Sequence, residues 1–124
     1  GEDRAGRTVL EAKPGESFET VYSSETIRMT VEVMKGVLGP EGTAYSSVKK
    51  TGFAIPAAGK TGTTNDYRDA WFAGVTPELS AVVWIGHDDM RHAMPPGKAG
   101  GAISAPVWMS FVKALHVGRP AKPF

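Results

Sequence analysis

The stretch Ala58-Gly59-Lys60-Thr61-Gly62-Thr63-Thr64-Asn65-Asp66 gathers groups that hold anions: one ammonium, three threonine hydroxyls, and backbone N–H groups that two glycines leave approachable. A carboxylate or a phosphate is the natural ligand of such a set. The same residues also suit a polar turn between strands, and a lone Lys-Thr-Gly triplet does not decide between the two. The triplet also matches the end of a phosphate-binding loop, G-x-x-x-x-G-K-[ST], with Ala81 to Asp88 imitating the apolar strand whose terminal Asp holds magnesium. That match fails at its start. The first glycine would have to be residue 54, which is Ala54, Pro56 falls inside the loop, and the Gly-Thr-Thr-Asn-Asp after Thr61 forms helix poorly where a helix N-terminus is needed.

Two further groups could do chemistry. His87, Asp88, Asp89 and His92 could be metal ligands, but their stretch has no regular periodicity, and a solvated charge cluster explains them as well. Ser46-Ser47-Val48-Lys49-Lys50 holds two S-x-x-K strings, in which a lysine one helical turn from a serine could take its proton. Glu41 to Phe53 reads as a Gly-, Ser- and Thr-rich connection, so the helix that this chemistry requires is not expected there.

Recognisable elements must position the candidate rim. Residues 1–22 read as a strand hairpin, with Pro14-Gly15 at the turn and Ser17 to Tyr22 alternating apolar and polar. A helix follows over 23–39: Ser23 or Ser24 caps it, Glu25 lies in its first turn, and Ile27, Val31, Met34, Val37 and Leu38 form one stripe ending at Gly39-Pro40. Three antiparallel strands are expected over 56–87. The first is an edge strand with the anion-binding residues, and Asp69 to Val75 and Ser80 to Gly86 form a hairpin through Thr76-Pro77-Glu78-Leu79. The hairpin strands show no polar face, which predicts helices on both sides. A last helix over 104–116 starts at Ser104, carries Val107, Trp108, Phe111, Val112 and Leu115, and stops before Gly118 and Pro120. The fold class is α+β, an antiparallel sheet sandwiched between helices.

Composition narrows the function. The chain has 124 residues, of which 41% are hydrophobic and 22% charged, close to the globular average and far from that of a disordered tail. Fourteen basic against thirteen acidic side chains leave no surplus to attract nucleic acid. There is no cysteine, which excludes thiol catalysis, disulfides and thiolate metal sites. The longest apolar runs fall far short of a membrane span, so any anchor or export signal is expected outside this chain.

The longer string from Ala57 to Phe72, followed by Gly74, Thr76-Pro77, Val83-Trp84-Ile85-Gly86 and Asp88-Asp89, resembles the end of the transpeptidase domain of class A penicillin-binding proteins. The resemblance runs back through Ser23 to Gly39 and the Gly42-Thr43-Ala44 turn. It runs forward through Gly100-Gly101 and Ala105-Pro106-Val107-Trp108. Of the three motifs of penicillin-recognising enzymes, S-x-x-K, S-D-N and K-T-G, it carries only the last. Asn65 is the single asparagine, and no serine stands two residues before it.

The resemblance implies that 1–124 is the C-terminal segment of one transpeptidase domain of the β-lactamase/transpeptidase-like fold, supplying three adjacent strands and the C-terminal helix. It further implies a reaction in which an upstream serine attacks a D-Ala-D-Ala stem peptide, forms an acyl-enzyme and passes it to an amine, with penicillin entering the same path. Lys60 would supply positive potential, and Thr61 and Thr63 would bind the substrate carboxylate. The Thr63 N–H would complete an oxyanion hole, and Gly62, Thr64 and Asn65 would line the bound peptide. Stem peptides and β-lactams are the implied ligands, with no cofactor and no metal; the alternative is a noncatalytic module that binds β-lactams or cell wall and keeps the third motif without the others. The missing N-terminal part of the domain, or a dimer that covers the gap, is the implied partner. An extracytoplasmic, inner-membrane-anchored setting follows from the family likeness alone.

Overall fold

The structure, a computed structural model, describes residues 21–64, 66–89, 92–95, 97 and 99–124. The hairpin expected over 1–22 lies almost wholly outside these residues. Helix α1 spans Ser24–Lys35; Ser23, in extended conformation, accepts the Thr26 N–H on its hydroxyl at 3.2 Å. Glu25 in the first turn and Lys35 in the last complement the helix dipole. A 3-10 turn, Gly36–Leu38, follows directly, and the chain reverses where Gly42 N–H meets Gly39 O at 2.8 Å and Ala44 N–H meets Val37 O at 3.0 Å.

The connection expected over 41–53 is in part a helix. Helix α2 spans Tyr45–Thr51 and is closed by Gly52 in the left-handed region, φ 62°. Its sequence has weak intrinsic preference for helix, and packing decides the matter: Ser47 is buried against the last helix, donating its hydroxyl to Gly101 O at 2.6 Å.

Strands β1 (Ala58–Thr63), β2 (Asp69–Val75) and β3 (Ser80–Gly86) form one antiparallel sheet in the order β1-β2-β3. Lys60 stands opposite Ala73, Gly62 opposite Trp71, and Trp71 in turn opposite Trp84. Alternation therefore places Gly59, Thr61, Thr63, Ala70, Phe72, Gly74, Ala81 and Val83 on one face and Lys60, Trp71, Ala73, Val82 and Trp84 on the other.

Helix α3 (Gly100–Leu115) covers the first face. It begins four residues before the expected start at Ser104, so Ser104 is not a cap: it is fully buried and donates its hydroxyl to Ala70 O at 2.8 Å. Pro106 consequently lies inside the helix rather than in its first turn. Trp108 is the centre of the core, fully buried, with its ring 5.3 Å from Phe72 and 5.8 Å from Phe53 and its indole N–H on Ala81 O at 3.0 Å. Met109, Val112, Ala105, Ala44 and Ala57 complete the cluster.

The second face is only partly covered, as the resemblance to one segment of a larger domain implies. Helix α1 and the 3-10 turn contact β1, yet Trp71, Trp84 and Val82 remain 45%, 42% and 61% exposed. Their continuous apolar pattern belongs to a buried surface, but the described residues contain nothing to bury it.

Gly74 reports how tightly α3 is seated. A Cβ there would lie 2.5 Å from both Cε2 and Cζ2 of the Trp108 ring, which is fully buried and cannot step aside. Gly74→Ala is therefore expected to lower unfolding free energy by about 1–3 kcal/mol, read as a drop in the urea midpoint with little change in slope.

Candidate functional site

The rim is an edge, because β1 pairs on one side with β2 and ends the sheet on the other among the described residues. Its first residue, Lys60, is exposed and donates from Nζ to Thr61 O at 2.6 Å. The ammonium thus lies along the strand edge with two donors to spare. The Thr61 hydroxyl is 2.8 Å from that of Thr43. The Thr63 hydroxyl accepts the Gly100 N–H at 3.0 Å. Gly62 sits between them, where a Cβ would come within 3.2 Å of Trp71 Cβ, so the missing side chain also eases packing across the strand pair.

Three segments meet under these hydroxyls: the Gly42-Thr43 turn, the first turn of α3, and β1 itself. The approach is close enough that a Cβ on Gly100 would overlap Trp71 O and Gly62 O, and one on Gly101 would overlap Thr43 O. Thr43 and Gly100 are the participants that motif reading missed. Their positions are set by the fold, and spacing along the chain carries no trace of it.

Thr64 belongs to the turn after the rim. Its hydroxyl accepts the Arg68 and Asp69 N–H groups at 3.0 and 3.1 Å, and its own N–H donates to Asp69 O at 3.2 Å. Asn65 lies outside the described residues.

The rival sites do not assemble. Residues 59–63 form a strand that turns into β2, so the triplet does not lead into a helix as a phosphate-binding loop requires. His87 and His92 have ring centroids 6.0 Å apart, and His92 Nδ1 is 3.3 Å from Asp89 Oδ2. No three His, Cys, Asp or Glu side chains converge on a common point among the described residues. The S-x-x-K strings do lie on a helix, contrary to expectation, but the Ser47 hydroxyl is buried and committed to Gly101 O. Away from the site, the hydrogen bond from Lys122 holds the Glu78 carboxyl below its usual range and ties the C-terminal residues to the β2–β3 turn.

Chemically, the rim offers a cation and two hydroxyls whose oxygens already have partners. It suits a ligand that brings a negative charge and an extended backbone.

The family model described as "Penicillin binding protein transpeptidase domain" matches residues 3–113. Penicillin-binding protein 1A of Aquifex aeolicus (strain VF5) is 33% identical over 116 residues, covering 94% of this chain and 15% of that protein. Penicillin-binding protein 1A of Neisseria lactamica is 46% identical over 65 residues, 52% of this chain and 8% of that protein. The crystal structure of Penicillin-Binding Protein 1A from Haemophilus influenzae aligns over 84% of this chain and 16% of its own, with a TM-score of 0.72 and 25% identity. The three-stranded sheet and its helices are thus similar to part of that larger fold, and the chain spans only a small share of each relative's length.

The geometry of Thr64 makes a direct prediction. Thr64→Val removes the acceptor of two backbone N–H groups in an exposed turn, and is expected to cost about 0.5–1.5 kcal/mol. Amide hydrogen exchange at Arg68 and Asp69 should quicken while exchange at the Trp108 core stays slow.

Proposed function

Because the chain belongs to the penicillin-binding protein transpeptidase domain family, we propose that it forms the substrate-binding wall of a peptidoglycan D-Ala-D-Ala transpeptidase. The observation that carries this reading is that Lys60, Thr61 and Thr63 share one sheet edge, with the Thr61 hydroxyl bonded to that of Thr43 and the Thr63 oxygen accepting from the Gly100 N–H. A stem peptide lies along β1 as an added strand. Its terminal carboxylate sits against the Lys60 ammonium and the Thr61 and Thr63 hydroxyls, and Gly62 keeps the edge free of a side chain. Penicillin, which carries a carboxylate beside its reactive amide, occupies the same place.

The chemistry is shared with another part of the domain. A serine upstream attacks the D-Ala-D-Ala carbonyl; the tetrahedral oxyanion is held by the Thr63 N–H and the serine's own N–H; D-alanine leaves, and an amine takes the acyl group. The Lys60 charge lowers the energy of the developing anion. No cofactor or metal takes part. The first two motifs of penicillin-recognising enzymes do not occur as working units in this sequence, so the chain alone is inactive in this reading. The bare face with Trp71, Val82 and Trp84 is where the upstream part of the domain, or a second copy, packs. The setting is extracytoplasmic, with an anchor outside this chain. No described helix is long and apolar enough to cross a membrane.

Fluorescent penicillin tests the reading. Alone, the chain should give no covalent band; mixed with the upstream segment, the label should appear on that segment only. Lys60→Ala should slow the labelling on the order of 100-fold. Covalent labelling of this chain by itself, or labelling of the mixture indifferent to Lys60, would overturn it.

A further inference from the structure

Thr61 and Thr63 can hold a carboxylate only as donors, and a hydroxyl has one proton to give. What each oxygen receives from behind therefore decides where its proton goes. For Thr63 the answer is fixed, because its partner is the Gly100 N–H, which can only donate. The Thr63 proton is left free for the rim. Thr61 is different. Its partner is the Thr43 hydroxyl at 2.8 Å, a bond that can run in either sense. If Thr61 donates to Thr43, it has nothing left for a ligand. If Thr43 donates to Thr61, the Thr61 proton turns outward, and a chain of two hydroxyls ends on the anion, each bond polarising the next.

Thr43 is held in place for this. Its turn is closed by Gly42 N–H to Gly39 O and Ala44 N–H to Val37 O. A Cβ on Gly42 would overlap Val37 O and Gly36 O, and the Thr43 carbonyl is packed against Gly101. The side chain is nonetheless exposed, at the edge where a ligand would lie.

We propose that Thr43 is a positioning residue of the anion-binding rim, donating its hydroxyl proton to Thr61 so that Thr61 can donate to the ligand carboxylate. The proposal rests on the transpeptidase reading above and names how that site acquires its charge preference.

The test uses the intact transpeptidase domain, with this chain joined to the upstream segment, and measures acylation rates with two probes: a fluorescent penicillin with a free carboxylate, and its methyl ester. Thr43→Val should slow acylation by the acid roughly 2- to 12-fold, chiefly through a higher half-saturating concentration. It should leave the slower reaction of the ester within about twofold, since the ester has no anion for the hydroxyl chain to end on. Thr43→Ser, which keeps the hydroxyl, should restore the acid rate. Thr43→Ala repeats the loss if the valine variant misfolds, with thermal midpoints recorded for both. Equal losses on acid and ester, or failure of serine to rescue, would make Thr43 mere scaffold and overturn the proposal. If Lys60→Ala slows the acid and Thr43→Val does not, this proposal fails alone; if neither does, the reading beneath it fails.

Discussion

The site depends on two residues that have no side chains. Helix α3 can enter its first turn against the backbones of β1 and β2 only because Gly100 and Gly101 offer nothing to collide with Trp71 O, Gly62 O and Thr43 O. That approach brings the Gly100 N–H to Thr63, the Gly101 carbonyl to Ser47, and the Thr43 turn to Thr61. Two glycines at the start of a helix cost about 1 kcal/mol each relative to alanine. The cost is offset further along, where Trp108, Met109 and Val112 bury themselves completely on the sheet and α2. The rim is thus set by backbone contact and secured by a core about two to three helical turns away.

The same sheet is unequally finished. On the α3 side Ala70, Phe72 and Trp108 are sealed from water; on the other, two tryptophans packed 6.1 Å apart keep more than two fifths of their surface in it. A tryptophan buries roughly 150–250 Å² when enclosed, so covering the remainder would contribute on the order of 2 kcal/mol per ring. Such a surface lies outside the usual economy of an isolated domain. The Trp84 indole N–H, bonded to Asp69 Oδ1 at 2.9 Å, already has its partner, so only apolar contact is lacking.

Elements governed by local rules could be read from the residues. Ser23 caps α1, the β2–β3 hairpin turns through Thr76 to Leu79, and Lys60 to Thr63 form the edge strand, because capping, alternation and glycine placement are written within a few residues of where they act. Helix α2 was hidden because Ser, Thr and Lys in Tyr45–Thr51 resemble a linker until Ser47 is seen on α3. The start of α3 was hidden because Ser104 and Pro106 imitate a cap and first turn, and Gly100 to Ile103 join the helix through contacts with the sheet rather than through propensity. The continuous apolar alternation of β2 and β3 records that both faces are meant for burial, and the resemblance to one segment of a larger domain already implied that part of the cover lies in the missing part. Thr43 was invisible as a participant because it meets Thr61 across 18 positions by way of two turns.

What the rim lacks defines its role as much as what it has. Lys60 is a donor with no acceptor, Thr63 has its oxygen occupied by an N–H, and among the described residues Lys60 donates to the carbonyl of its neighbour Thr61. A surface built in this way favours anions and extended backbone, and disfavours cations. The hydroxyls of Thr61 and Thr63 are too weakly basic to take a proton from a nucleophile. In the reaction proposed above, holding and activating are therefore separate tasks: the strand edge performs the first, and a second surface performs the other.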